Sequence, residues 1–143
     1  MRARTHLNEY DIISGNFDKD KKYFTSSLHF SKDYDIFSLD IDIIIKSSLT
    51  IYYLRKLSHI SEKIIVQGSY KIQNCPLLKT LNFKKGSNIE FYNDQHLTTI
   101  LSEEQFLSTR SLWVNYEIVT SYKEYYSLIK PTLIKNELMK VCL

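Results

Sequence analysis

Between residues 36 and 45 the apolar side chains are Ile36, Leu39, Ile41, Ile43 and Ile45, and the last four alternate strictly with polar or β-branched neighbours. A period of two predicts a strand with one buried face. From Ser48 to Ile60 the spacing changes: Tyr53, Leu54, Leu57 and Ile60 share one helical face, Arg55 and Lys56 point away, and Ser48 stands where an N-cap belongs. That spacing predicts a helix over 48–60. Ile64-Ile65-Val66, ending at Gly68, and the alternating Tyr70 and Ile72 predict two further strands, and Cys75-Pro76-Leu77-Leu78 puts proline at the first position of a short helix. Beyond Gly86, Ile89-Glu90-Phe91-Tyr92 reads as a strand, and Ser102-Glu103-Glu104-Gln105 is a capping box opening a helix toward Arg110. Residues 112–119 read as a strand again. Ser121-Tyr122-Lys123-Glu124 then starts a helical tail with Tyr125, Leu128, Ile129, Leu133, Ile134 and Leu138 as its apolar positions, and Pro131 is expected to kink or split it.

These elements give a single α/β or α+β domain, a β-rich mixed sheet with a C-terminal helical cap. Residues 1–22 form an irregular leading segment with room for one strand, 23–119 the strand-rich core and 121–143 the helical segment. No change of composition marks a second domain.

Three segments also repeat one another: Ile43-x-Ile45 with Ser48 and Ile51, Ile64-x-Val66 with Ser69 and Ile72, and Leu81-x-Phe83 with Gly86 and Ile89. Leu28-x-Phe30 with Asp33 and Ile36 is a weaker copy, and Leu57, Leu78 and Leu97 follow the three main copies. Units of this size cannot bury an apolar face alone, so a true repeat stacks into a solenoid with the paired apolar positions on successive parallel strands. The pattern resembles the strand segment of leucine-rich repeats over roughly half the chain, without the asparagine those repeats carry and with a drifting step. A solenoid of stacked strand-helix units is therefore the alternative to an ordinary mixed sheet. The two readings disagree over residues 48–60, where one needs a helix and the other needs Ile51 in a strand.

Composition narrows the field further. At 143 residues, with 43% hydrophobic side chains, the chain can bury a core without disulfides or a structural metal. The 19 basic and 16 acidic residues leave a net charge of +3, interspersed rather than blocked. Nucleic-acid binding stays open on that charge, but no electrostatic footprint for it is visible. Cys75 and Cys142 show no zinc-binding or redox spacing, which fits reduced thiols in the cytoplasm. No apolar run is long enough for a signal peptide or a membrane span, although export by an injection machine leaves no trace in hydropathy. Ala3 is the only alanine, a bias toward strand formers that also fits an AT-rich coding sequence of a bacterium or virus.

Three constellations could carry chemistry. Asp40-Ile41-Asp42, two apart on a strand, would set two carboxylates side by side, as holding a divalent cation against phosphates requires. With Ser26-Ser27 in the Gly-Ser place and Glu90 as third carboxylate, residues 24–91 resemble the minimal nucleotidyltransferase pattern; Mg or Mn is the cofactor that resemblance implies. The glycine that lets backbone approach the phosphates is missing. His-x-Ser/Thr occurs at His29, His59 and His96, and His29 with His96 resembles the pair of a two-histidine phosphoesterase. The third feature is the aromatic surplus: Tyr52, Tyr53, Trp113, Tyr122, Tyr125 and Tyr126 exceed what a core accommodates with every polar tip paired. Such residues are enriched where proteins recognise one another. The expectation is a noncatalytic binder of another macromolecule, a protein above all, of the effector, inhibitor or immunity type.

Overall fold

The computed structural model describes residues 6–92 and 97–141. The chain winds through stacked coils whose strands line three separate faces. Face A holds β1 (Lys22–Thr25), β4 (Asp42–Ile45) and β7 (Ile64–Val66); face B holds β2 (Leu28–Phe30), β5 (Ser48–Tyr52), β8 (Ser69–Gln73), β9 (Asn88–Tyr92) and β10 (Ser111–Val114); face C holds β3 (Ser38–Leu39) and β6 (His59–Ile60). All these pairings are parallel, and a two-residue strand, β11 (Glu117–Ile118), closes face B antiparallel to β10. The protein is thus one β-rich solenoid-like domain with a helix at its C-terminal end.

The step between coils explains the repeated sequence. Ile43 pairs with Ile64, Ile51 with Ile72 and Leu39 with Ile60, each 21 residues on. Side chains that point inward at these positions stack on their own equivalents. Leu28, Leu49, Tyr70, Ile89 and Leu112 form one such column, and Phe30, Ile51, Ile72, Phe91 and Val114 form the next. All ten are buried. Removing an aliphatic or aromatic side chain of this kind from water stabilises by about 1.5–3 kcal/mol.

Several expected elements change identity, for one reason. Residues 48–60 are not a helix: 48–52 are β5, Tyr53 takes φ 67°, and Leu54 and Leu57 point inward across a turn closed by the Leu57 amide donating to the Leu54 carbonyl. Residues 75–78 repeat that turn one coil later, with the Leu78 amide on the Cys75 carbonyl and Pro76 at the second turn position rather than at a helix start. The run 36–45 is not one strand, because the chain bends at Asp40–Ile41 from face C to face A. The weaker copy at Leu28 belongs to face B, pairing with Leu49; the partner of Ile43 on face A is Tyr23. Residues 112–119 split into β10 and β11.

The ends are closed by helices. α1 (Glu9–Ile13), in the segment read as irregular, carries a capping box between Asn8 and Asp11 and packs on β2, where the Glu9 carboxylate accepts the His29 amide at 2.5 Å. At the other end α2 (Glu103–Ser108) has the expected Ser102/Gln105 box, and α3 (Tyr122–Val141) runs through Pro131 as one assigned helix. α3 buries Tyr125, Ile129 and Thr132, and the Leu101 amide donates to the Tyr125 hydroxyl at 2.9 Å.

Two positions in this frame make measurable predictions. Gly68 turns the chain from face A to face B, and a Cβ built there would lie 1.9 Å from the Ser47 carbonyl oxygen. Backbone cannot yield as a side-chain tip does, so Gly68→Ala is expected to destabilise by about 1–3 kcal/mol, read as a lower chemical-denaturation midpoint. Tyr70 is fully buried in the first inward column, and among the described residues no group accepts or donates at its hydroxyl. Burial pushes this phenol up to about 12 from 10.0. Between those values the unfolded chain loses a proton that the folded chain keeps, so stability falls as pH rises through the window. Tyr70→Phe is expected to gain about 1 kcal/mol at neutral pH by removing an unpaired buried hydroxyl, and to lessen the loss between pH 10 and 12. Denaturant titrations of both proteins at pH 7, 10 and 11.5 check this.

Candidate recognition surface

Alternation along the face B strands sends every second side chain outward, and the parallel register lines these up in three rows. The first is Ser48, Ser69, Asn88 and Ser111; the second is His29, Thr50, Lys71, Glu90 and Trp113; the third is Tyr52, Gln73 and Tyr92. Neighbouring strands are about 4.8 Å apart, so each row is a closely spaced ladder.

Across the second and third rows runs a chain of rings. His29 meets Tyr52 edge-on at 5.6 Å between centroids, Tyr52 meets Tyr92 at 6.3 Å and 90°, and Tyr92 meets Tyr116 at 4.8 Å. These separations lie in the range where aromatic pairs attract beyond their area burial. Tyr92 donates to the Glu90 carboxylate at 2.5 Å. Burial, then that bond, push the Tyr92 phenol well above its ordinary range, and burial, then Tyr116 and Glu90, push Tyr52 the same way. Both phenols stay neutral in use. Trp113 donates its indole N–H to the Ser111 hydroxyl at 3.2 Å, which in turn donates to Asn88 at 2.7 Å. The side chains of the surface are therefore braced by one another.

Tyr116 reaches the surface through backbone geometry. Asn115 and Tyr116 have φ of 50° and 70° and form the two-residue loop between β10 and β11. Such loops favour Asn-Gly, and a bulky side chain at positive φ is strained. Tyr116 is 81% exposed and touches Tyr92, so the strain holds an aromatic ring at the rim.

The aromatic residues singled out in the sequence fall into different places. Tyr52 and Trp113 lie on face B. Tyr53 is at the adjoining corner, in a cleft with Lys32, Asp33, Arg55 and Asn74, where Arg55 pairs with Asp33 at 2.7 Å and holds its carboxyl below the usual range. Tyr122 and Tyr126 belong to a second cluster on α3, and Tyr125, stacked on Phe106 at 5.5 Å, is buried and offers no surface. Tyr92, Tyr116 and His29 complete the ring chain and were not grouped with them. Ladder register was the missing signal: Tyr52 and Gln73 are 21 apart, but Tyr92 follows Gln73 by 19.

The carboxylate constellation is not assembled, and the histidine pair falls partly outside the described residues. Asp40 is exposed at the bend between faces C and A, Asp42 stands at the start of β4 on face A, and Glu90 is on face B, engaged by Tyr92. Among the described residues no three His, Cys, Asp or Glu side chains are grouped to hold a metal ion. Asp40, Asp42 and Glu90 thus do not form the ligand set the sequence suggested for Mg or Mn, because a solenoid coil carries its successive strands to different faces. His29 is on face B, His59 on face C and not in a helix, and His96 lies outside the described residues. No protein-family model, curated protein or solved structure matches the chain.

The strained loop supplies a test of the surface. Tyr116→Gly is expected to stabilise or leave unchanged the folded state, by up to about 1 kcal/mol, because glycine adopts positive φ freely. The same variant loses one ring of the chain. A lower denaturation midpoint for Tyr116→Gly would show that the ring contact with Tyr92 outweighs the backbone strain.

Proposed function

We propose that the chain is a noncatalytic binding protein that docks another protein on the outward side of face B. The observation that carries this is the unbroken chain His29–Tyr52–Tyr92–Tyr116, with Trp113 beside it, on strands locked in register. Tyrosine and tryptophan offer large contact area with few torsions to freeze, and the sheet removes most of the remaining ordering cost. Lys71 and Glu90, adjacent in the ladder, give the surface both signs of charge and no excess of either. That composition suits a protein surface better than the phosphate backbone of a nucleic acid.

An effector, inhibitor or immunity protein of a bacterium or virus acts by such occlusion, and this is the role we assign. No described helix is long and apolar enough to cross a membrane. Cys75 is buried and free, with its thiol pushed up to about 11 by burial, which suits a reduced cytoplasmic protein.

Affinity capture from cells with the wild-type protein and with Tyr52→Ala and Trp113→Ala variants tests the reading. A partner bound through face B is expected to lose about 2 kcal/mol of affinity, roughly thirtyfold, at each of these positions. Unfolding midpoints of the variants guard against loss of fold. Partners retained equally by both variants would place the docking surface elsewhere.

A further inference from the structure

α3 is apolar on two opposite sides. Tyr125, Ile129 and Thr132 face the body and are buried. About 180° around the helix lies a second stripe, Ser127, Pro131, Ile134 and Leu138, spaced four, three and four apart. Ile134 and Leu138 are 51% and 61% exposed, and every residue from 134 to 140 is exposed, so the last two turns project beyond the body. With Lys130 and Lys135 the stripe lines an open groove of about 500 Å³. Ser127 donates its hydroxyl to the Lys123 carbonyl at 3.2 Å, which engages its polar tip on its own helix. A helix on the outside of a domain needs one apolar stripe, and one that is apolar on both sides is built to be covered twice.

The charges beside the stripe select its occupant. The spacing is that of a two-helix seam, with 131 and 138 in one core position of the heptad and 127 and 134 in the other. Lys130 and Glu137 then stand on one flank, and Leu128 and Lys135 on the other. A second α3 laid antiparallel, with Pro131 against Ile134 and Ser127 against Leu138, sets each Lys130 against the Glu137 of the other copy. On the opposite flank each Lys135 stem covers the other copy's Leu128, which is 40% exposed in the single chain. Parallel copies would instead set Lys130 against Lys135 twice. Glu137 can turn to this contact at little cost, because its 3.6 Å pair with Lys140 is open to solvent on both sides.

We propose that the outer stripe of α3 is a homodimer seam, closed by the same stripe of a second copy running antiparallel. The contact of Lys130 with Glu137 is made twice by symmetry, so two chains complete the assembly and no third can add. Each stripe points away from its own body, which leaves the two bodies on the outer sides of the helix pair. The seam is short, well under the roughly 800 Å² per partner of a standard interface, and the dimer is therefore a weak one. Nothing in this assignment depends on the aromatic surface of face B, which other elements carry.

Sedimentation equilibrium of the full chain from about 5 to about 500 µM tests the seam, and the mass is expected to rise toward that of two chains with a Kd of about 100 µM. Ile134→Glu, at an exposed position, is expected to hold the chain monomeric throughout. Lys130→Glu and Glu137→Lys each bring like charges together twice and are expected to raise Kd about tenfold. An equimolar mixture of these two variants restores opposite charges at both contacts, and its Kd is expected to return to within about threefold of the wild type. Unfolding midpoints of all variants, read at low concentration, check that the fold is kept. The proposal is overturned if the wild type stays monomeric at the highest concentration, as it would if the stripe served a different protein. It is equally overturned by a dimer that survives Ile134→Glu, by a mixture no tighter than the variants alone, or by a Lys130→Glu dimer tighter than the wild type, which is the mark of parallel helices.

Discussion

Everything in this molecule depends on one contact, the stacking of an inward side chain on its equivalent one coil away. A single coil has no interior of its own; its isoleucines and leucines leave water only when another coil is set on top. That dependence fixes the step of 21 residues seen from Leu28 to Leu49 to Tyr70, and from Ile43 to Ile64. It also fixes the outside. Once the inward columns are in register, the outward side chains must be in register too, and ladders of residues from successive coils appear on the surface without any direct contact having selected them.

The two outer faces show what this constraint permits. On face B the register runs unbroken through five strands, so Tyr52 and Tyr92 come close enough to touch over Gln73. On face A the same winding fails at the fourth coil because two residues are missing between Leu81 and Ile89. A shortened coil keeps its place in the inward columns, since Ile89 still stacks on Tyr70, and gives up a rung on one face. Burial outranks backbone pairing where the two compete, and the cost is one rung of face A.

How much of this the sequence revealed follows from the same physics. The apolar pairs Ile43/Ile45 and Ile64/Val66 carried the step directly, because apolar alternation is a local signal and their register is regular. The capping box at Ser102 and Gln105 was legible for the same reason. The apparent helix over 48–60 was misleading: Leu54 and Leu57 are three apart because they flank a turn at a corner of the coil, a spacing that a helix shares. The fourth coil broke the count, and the copy ending at Ile89 was aligned with Ile72 when the chain aligns it with Tyr70. The recognition surface was half visible. Tyr52 and Trp113 stood out by type, but their neighbourhood with His29, Tyr92 and Tyr116 exists only across strands that sequence does not order. The carboxylates Asp40 and Asp42 misled in the opposite way, since a bend between them cannot be read from alternation alone.

The ends of the stack decide what kind of object it is. A parallel strand that terminates a solenoid is a template for another coil, and two bare ends of complementary pattern would let chains add to one another indefinitely. Here the first face B strand has its His29 amide occupied by the Glu9 carboxylate from α1. The last is covered by β11, which runs antiparallel and is only two residues long. Reversal of direction breaks the all-parallel repeat, and the two residues of β11 leave only a short edge on which another strand could pair. Face B is in this way built by the rules of open-ended growth, yet each of its ends carries a feature, one carboxylate and one reversed strand, that the coils between them lack.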